Sequence, residues 1–344
     1  MLIYILKRIA LMLPTLLGAL TITFIVVQFV PGGPIEQIMA EARDGGGGDT
    51  GGYRASKDTD ATQIAELKKL YGFDKPAGER YIDMLVNFAR FDLGRSFMHN
   101  KDVWQLIKEK LPVSISLGLW TFVLSYVISV PLGIAKARRE GSRFDAITTL
   151  LVLVGFAIPG FVLGILLIVL FAGGTFWDVF PLRGLTSDNW AELSFGARVT
   201  DYLWHLALPL TCLVIHSFAV LTLLTKNTFV EEIRKQYVLV ARAKGLSQQR
   251  VLYRHIFRNA LLPLVTHFPA AFVGAFFSGS VLIETLFSLD GMGLLGYEAV
   301  VRRDFPVVLG TLYFFTLIAV VTKLVSDILY RVIDPRVQFG SVSK

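Results

Sequence analysis

Long stretches without a single Lys, Arg, Asp or Glu divide this chain, and no other feature constrains its fold as strongly. A helix needs roughly 20 apolar residues to cross a bilayer. Uncharged runs of this kind occur at Ile9–Val30, Val113–Ala135, Ala146–Trp177, Leu203–Thr225 and Ala260–Ile283, and a shorter one at Phe305–Thr322. Within a bilayer a helix satisfies all its backbone hydrogen bonds internally. The sequence therefore predicts an all-α integral membrane protein with six transmembrane helices.

Two of these runs need comment. The third is longer than one crossing requires, so we expect a re-entrant or interfacial end near Gly173 and Gly174. The first follows Lys7 and Arg8 and could be a secretory signal, but it is too long for a typical signal and no A-x-A site follows it. We therefore expect an uncleaved first span.

Composition agrees with a membrane protein. Charged residues make up 18% of the chain, whereas soluble domains carry about 25%. The single cysteine, Cys212, lies in an apolar run. No disulfide framework and no cysteine metal site can therefore form within the chain.

The distribution of Lys and Arg predicts the orientation. Segments 1–8, 136–145, 226–259 and 323–344 together carry 18 Lys and Arg residues, whereas the loops 178–202 and 284–304 carry 4. Cytoplasmic loops are the basic ones, so both termini are predicted to be cytoplasmic. The formal charge of +7 then follows from topology, and no nucleic-acid partner is needed to explain it.

This topology predicts four parts. They are a cytoplasmic end with the first span (1–30), an extracytoplasmic insert (31–112), a transmembrane domain (113–331) and a cytoplasmic tail (332–344). The insert contains a Gly-rich stretch at 44–52, expected to be a flexible loop. Three short helices are predicted after it, with apolar stripes at Ile64, Leu67, Leu70 and Tyr71, at Tyr81, Met84, Leu85 and Phe88, and at Val103, Leu106 and Ile107 after an Asp102 N-cap.

The basic segment 226–259 predicts two short cytoplasmic helices. Gly245 should end the first helix in a left-handed conformation, and Ser247 should cap the second. Two interpretations remain open at this point. The pair is either an amphipathic surface lying on lipid headgroups or, because Ala241, Ala243 and Gly245 are small, a docking surface for another protein.

The string from Tyr237 to Ser247, followed by Arg254, His255 and the run Arg258–Pro263, resembles a known family. It is similar to the coupling loop of B-type permeases in the oligopeptide/dipeptide branch of bacterial ABC importers. Leu239 and Val240 stand where the general signature has Glu and Ala. Further family-like strings extend the resemblance over nearly the whole chain, at Asp92–Ser96, Pro131–Gly133, His205–Pro209, Gly279–Glu284 and Asp334–Arg336.

The resemblance implies the type I ABC importer (MetI-like) permease fold in a bacterial inner membrane. It also implies import of peptides, including peptide antibiotics such as microcin C. The implied partners are a second homologous permease, two ABC ATPase subunits or domains and a periplasmic peptide-binding protein. The implied ATPase-coupling residues are Tyr237, Ala241, Arg242, Ala243, Lys244, Gly245, Ser247, Arg254, His255 and Arg258.

The chain is not expected to be an enzyme. It contains no G-x-x-x-x-G-K-[ST] string, so it lacks the loop that cradles ATP phosphates in P-loop proteins. It is expected to bind no cofactor itself, with ATP and magnesium bound by the partner ATPases.

Candidate residues for a substrate path are polar groups within or at the ends of the spans. They are Ser125, Ser129, Ser278, Ser280 and Glu284, with Ser114, Ser116 and Thr121 as further members. Helical serines also commonly bond the backbone four residues back, and Glu284 could instead pair with Arg302 or Arg303. Both interpretations stay open.

Three histidines lie within the uncharged runs, namely His205, His216 and His267. His205 and His216 are eleven residues apart, about 16 Å along a helix. They cannot hold one ion together, and we expect structural hydrogen bonding and no metal.

Alternative functions are a permease for nickel or another small solute in the same family, and an ion-coupled secondary transporter. Secondary transporters place carboxylates near the membrane midplane. No Asp or Glu lies inside the first five uncharged runs as far as Ile283, which weighs against ion coupling. An intramembrane enzyme is not supported by any paired carboxylates or nucleophile–base pair.

Overall fold

The structure, a computed structural model, describes residues 2–29, 75–174, 176–277 and 280–333. These residues contain helices, one isolated β-bridge between Arg95 and Asp102 and no strand. A π-helical segment spans Val251–Ile256, and a short 3₁₀ helix spans Trp190–Glu192. The helices in chain order are α1 (Leu2–Phe29), α2 (Ala77–Ala89), α3 (Val103–Arg138), α4 (Arg143–Ala157), α5 (Gly160–Phe171), α6 (Phe195–Ile233), α7 (Gln236–Ala243), α8 (Gln248–Arg250), α9 (Phe257–Phe277), α10 (Ser280–Leu286), α11 (Met292–Val301) and α12 (Phe305–Ile333).

Length and apolarity identify the candidate membrane spans. In the described part of the chain, four helices qualify, and they are Leu6–Phe29, Val103–Arg138, Phe195–Ile233 and Phe305–Leu329. The bent pair α4–α5 adds a fifth if it counts as one span. The run Ala260–Ile283 is covered by α9 and α10, with residues 278 and 279 outside the described ranges. The helical class is confirmed, and the number six remains a prediction.

The third uncharged run also bends in its middle, which the sequence analysis did not predict. Helices α4 and α5 meet at 92° across Ile158 and Pro159, whereas α5 continues to Phe171, just before Gly173 and Gly174. Ile158 is extended, with a ψ of 119°, because the residue before a proline is disfavoured in the helical region. The proline therefore decides where this run breaks.

The predicted insert is described only from residue 75 onward. The second predicted helix is confirmed as α2, while the Gly-rich stretch and the stripe at 64–71 lie outside the described residues. The third was predicted as a short helix, and this was wrong. Asp102 accepts a hydrogen bond from the Trp104 backbone at 2.7 Å, but the helix it begins continues through Pro112 to Arg138. The division into four parts stays a prediction.

One compact unit comprises Ala10–Lys110 and Leu295–Leu317. The ring of Phe88 packs edge-on against Tyr313, with their centroids 5.3 Å apart. The buried carboxylate of Asp304 accepts hydrogen bonds from Ser96 Oγ at 2.5 Å and from the Phe97 backbone at 3.0 Å. This carboxylate fixes the loop that precedes α3 to the turn that precedes α12.

The other unit comprises Met1–Ile9, Leu111–Leu294 and Ile318–Lys344. Its larger apolar cluster includes Leu117 of α3, Leu206 and Cys212 of α6 and Phe287 after α10. Helices α3 and α6 approach each other closely at Gly133. A Cβ added there would lie 2.5 Å from Thr225 Cβ and 2.9 Å from the Thr222 carbonyl oxygen.

Substitution of this glycine tests the close approach. Gly133→Ala is expected to lower the stability of the purified permease by about 1–3 kcal/mol, because an added carbon must force two helix backbones apart. The measurement is the fraction of monodisperse protein after stepwise heating in mild detergent. The matched control is Gly18→Ala in α1, where an added Cβ meets no atom within 4 Å. Equal melting of the two variants would contradict the contact.

Candidate functional site

The turn at Gly245 joins two helices of the basic segment. Helix α7 ends at Ala243, and Gly245 follows with a φ of +78°. Its N–H donates to the Arg242 carbonyl at 2.9 Å, and the Leu246 N–H donates to the Ala241 carbonyl at 3.4 Å. This pair of bonds is the glycine-dependent helix ending that the sequence predicted, so the geometry expected of Gly245 is confirmed.

Ser247 begins the second helix. Its Oγ accepts from the Arg250 N–H at 3.4 Å, and its carbonyl accepts from the Val251 N–H at 3.0 Å. The predicted cap is therefore confirmed. The helix does not stop near Arg258 as expected, because α8 and the π-helical Val251–Ile256 run directly into α9. Such π segments often occur at functional sites.

Residues 236–258, here termed the α7–α9 segment, have one buried face. That face packs on Phe229 of α6 and Ala137 of α3. Ala241 is buried within it, so its small side chain serves the chain's own packing and is not available to another protein. The residues of this buried face are Val238, Ala241, Val251, Leu252 and Ile256.

The opposite face of the α7–α9 segment is both apolar and basic. Leu239, Val240 and Tyr253 are exposed by 59%, 54% and 62%. Apolar groups exposed in this way mark interaction surfaces. The sequence analysis noted Leu239 and Val240 only because they differ from the family signature. The signal for their exposure was the run of consecutive apolar residues that begins at Val238, because consecutive residues cannot all lie on one buried helix face. The exposed predicted residues around them are Arg242, Ala243, Lys244, Gly245, Ser247, Arg254 and Arg258, and His255 is half-buried.

Tyr237 is half-buried and forms hydrogen bonds to the helices that flank this segment in the chain. Its hydroxyl donates to Glu232 Oε2 at 2.6 Å and accepts from Asn259 Nδ2 at 3.3 Å. Burial, and secondly the bond to Glu232, raises the pKa of Tyr237 to about 12. The phenol therefore remains a neutral donor over the physiological pH range. Tyr237 therefore joins the last turn of α6 to the beginning of α9.

A buried ion cluster lies beside the α7–α9 segment. The fully buried Lys136 of α3 places its Nζ 3.1 Å from Asp145 Oδ1 and donates to Thr148 Oγ1 and Thr149 Oγ1 at 2.8 and 2.7 Å. Lys226 of α6 donates to Asp145 Oδ2 at 2.7 Å. The cluster joins α3, α4 and α6. The sequence analysis explained these charges only by the membrane topology, because no local sequence pattern shows that the three residues lie together.

The predicted path residues are in different environments. Ser114 Oγ accepts from the Met292 N–H at 2.8 Å, and Ser129 Oγ donates to the Phe218 carbonyl at 3.1 Å. Ser116 is half-buried. The side chains of Ser278 and Ser280 lie outside the described part. Thr121 and Ser125 are the predicted members that the structure brings together, in one cavity.

That cavity measures about 240 Å³ and lies between α3, α6 and α9. Its α3 and α6 residues are close to the middle of those two long helices. The wall combines apolar groups with hydroxyls and imidazoles. Its polar residues are Thr121, Ser125, Tyr126, His216, Ser217 and His267, and we call it the hydroxyl cavity.

Glu284 of α10 is fully buried, and its carboxylate lies against the first turn of α11. Its Oε2 accepts from the Leu294 N–H at 2.6 Å. A Cβ added to Gly291 would lie 2.6 Å from Glu284 Oε1, so the glycine makes room for the carboxylate. A negative charge is favourable at a helix N-terminus. The geometry gives Glu284 a structural function, and the path role and the pairing with Arg302 or Arg303 stay predictions.

His205 lies outside the hydroxyl cavity, whereas His216 and His267 both line it. His205 Nδ1 donates to the Asp201 carbonyl at 2.9 Å, and His216 stacks on Phe156 with centroids 4.6 Å apart. No group of three His, Cys, Asp or Glu that could hold a metal occurs among the described residues.

The Tyr237 link generates a prediction. Tyr237→Phe should increase hydrogen exchange of backbone amides in the α7–α9 segment, since it removes two hydrogen bonds worth about 1 kcal/mol each. Because folding raises the pKa, the stabilisation is present below pH 10 and is lost as pH rises toward 12. Exchange is measured by mass spectrometry on the purified permease. The control is Tyr253→Phe, whose ring is exposed, and equal exchange in both variants would contradict the link.

Comparison with known proteins places the chain in a family. The family model for the binding-protein-dependent transport system inner membrane component matches residues 129–339. The peptidoglycan transport system permease protein YejB of Agrobacterium fabrum is 52% identical, covering 98% of both chains. The inner membrane ABC transporter permease protein YejB of Escherichia coli O157:H7 is 49% identical, also over 98% of both chains.

A more distant relative is the di/tripeptide transport system permease protein DppB of Pseudomonas aeruginosa, 32% identical over 98% of this chain and 99% of that one. Among solved structures, the methionine ABC transporter MetNI in inward-facing conformations aligns with 67% of this chain and 97% of that chain, at a TM-score of 0.48 and 14% identity. The resemblance seen in the sequence is confirmed by the full-length relatives and by the family match. The chain belongs to the family of binding-protein-dependent transport system inner membrane components, the permease subunits of ABC transporters.

Proposed function

We propose that this chain is the permease subunit of an ATP-driven importer that moves peptides across the bacterial inner membrane. The observation that carries the proposal is identity of 49–52% over 98% of the chain with permeases named for a peptidoglycan transport system and as an inner membrane ABC transporter. The more distant relative is named for di- and tripeptides. Peptides are the substrate class that these names favour.

The α7–α9 segment is the proposed contact with the ATPases. Its outer face combines exposed Leu239, Val240 and Tyr253 with basic side chains, a surface suited to a protein groove with acidic margins. Its inner face packs on α6 and α3. A displacement of the outer face by a closing ATPase pair would therefore move α6 and α3 through this packing, and α9 because the segment runs directly into it.

The orientation of the permease follows from its charges. The basic segments, including 226–259, are assigned to the cytoplasm with both termini. The ATPases would then bind from inside, and a peptide-binding protein would deliver substrate from outside. A second permease would complete the path, and the ATPases would bind the ATP and magnesium.

Gly245 provides a sharp test of the ATPase contact. A Cβ at this position meets no atom of the described residues within 4 Å, so an added side chain would project toward a docked partner. Asn tolerates a positive φ better than most residues. Gly245→Asn should therefore leave the bend and the membrane level unchanged, while ATP-driven uptake and ATPase co-purification fall roughly tenfold or more, a loss of about 1.4 kcal/mol in contact.

The control for this test is Gly141→Asn. Gly141 also has a positive φ, of 75°, and open space around its Cβ, and it lies in another predicted cytoplasmic loop. The charged variant Gly245→Asp should behave like Gly245→Asn if obstruction is the cause. Normal uptake and normal co-purification in both Gly245 variants would reject the contact.

The substrate class is tested by uptake in cells with and without the permease. Radiolabelled tri-alanine and the peptidoglycan tripeptide should accumulate only when the permease and ATP are present. If microcin C uses the same path, cells lacking the permease should resist it. Uptake of radioactive nickel, with neither peptide transported, would instead favour the small-solute alternative.

A further inference from the structure

The hydroxyl cavity contains side chains that lack the usual partners. Thr121 and Ser125 are each about 3% exposed, and their hydroxyl oxygens, like that of Tyr126, form no hydrogen bond within the described part of the chain. A buried hydroxyl without a partner is costly. Three of them beside one cavity indicate that a partner comes from elsewhere.

Several other helical hydroxyls are bonded within their own helix, although the buried Thr222 hydroxyl, outside the cavity, also has no partner among the described residues. Thr211, Thr266 and Thr285 each donate to the carbonyl four residues earlier, at 2.7, 2.9 and 2.8 Å. This back-bonding is the ordinary arrangement for Ser and Thr in helices. Ser125 could bond the Thr121 carbonyl in the same way but does not. Its hydroxyl and that of Thr121 are therefore available to a group inside the cavity.

The wall of the cavity selects the chemistry of that group. Among the described residues, no Asp, Glu, Lys or Arg lines it. A charged group in this position would lack an opposite charge and would be strongly unfavourable. Hydroxyls both donate and accept hydrogen bonds, and neutral imidazoles offer one donor and one acceptor. The wall thus suits an uncharged group that has both a donor and an acceptor, as a peptide amide does.

We propose that the hydroxyl cavity binds backbone amides of a peptide during its passage. The proposal rests on the proposed function and extends it by assigning a contact site. At about 240 Å³ the cavity is smaller than the roughly 300–1,000 Å³ pockets that enclose whole drug-sized ligands. It therefore takes a segment of the peptide. Contacts to amides, which all peptides share, allow transport of different sequences.

The position of the cavity fits this role. Thr121 and Ser125 lie near the middle of α3, and His216 near the middle of α6. Transporter substrate sites commonly lie near the membrane midplane.

The rival occupant is water, and about eight molecules would fit at roughly 30 Å³ each. Water would satisfy the same hydroxyls without any effect on substrate.

The test uses the complete transporter in proteoliposomes, with its ATPases, second permease and binding protein. Ser125→Cys adds one thiol to a chain whose single native cysteine, Cys212, is buried. Alkylation of Cys at 125 by N-ethylmaleimide should slow when tri-alanine or the peptidoglycan tripeptide is transported. The control is Thr266→Cys, on the exposed side of α9, where the same peptide should not protect.

Transport kinetics supply the second measurement. Thr121→Val with Ser125→Ala should raise the KM for the peptide by about fivefold or more, since each lost hydrogen bond changes affinity severalfold. The single variant Ser125→Thr, which keeps a hydroxyl at this position, should retain most of the affinity for the peptide. Thr266→Val, whose hydroxyl is back-bonded, should leave KM unchanged.

Two results would overturn the proposal, and they differ. In the first, the unaltered transporter takes up peptide, but peptide does not protect position 125 and the double variant has an unchanged KM. This result would assign the cavity to water alone. It would leave the proposed function intact. No uptake of any peptide by the unaltered transporter would overturn the proposed function and the cavity assignment together.

Discussion

Helices α3 and α6 cross at Gly133, where an added Cβ would lie 2.5 Å from Thr225 Cβ. In a membrane, lipid competes with helices for apolar contact, so close backbone approach at small residues is a main source of helix association. This crossing fixes both helices along the stretch that carries the other features. Along both helices, the residues that line the hydroxyl cavity precede the crossing, and the lysines of the buried ion cluster follow it.

The ion cluster extends this rigid region toward the basic segment. Lys136 and Lys226 bind the same Asp145 carboxylate from α3 and α6. Removing one member of a buried ion cluster leaves uncompensated charge, which is strongly unfavourable. The helix ends are therefore held together next to the residues that follow α6. Through the packing of Val238 and Ala241 on Phe229, the α7–α9 segment is attached to this region.

Polar groups in the long helices fall into two classes. Lys136, Glu284, Ser114 and Ser129 have partners within the chain and join one element to another. Thr121 and Ser125 have none among the described residues. The first class explains why some polar residues persist in apolar surroundings without contacting substrate. The second class is the one from which a contact with a transported molecule can be inferred.

The sequence by itself determined the features that depend on neighbours within one or two turns. The uncharged runs indicated where the long apolar helices lie. Gly245 and Ser247 specified a helix end and a helix start, because backbone conformation and capping are local properties. It also identified the family. Tertiary structure decided that α3 continues through Pro112, that Ala241 is buried while Leu239 is exposed, and that Lys136 meets Asp145. Burial and ion pairing depend on residues far away in the chain, so no local pattern contains them.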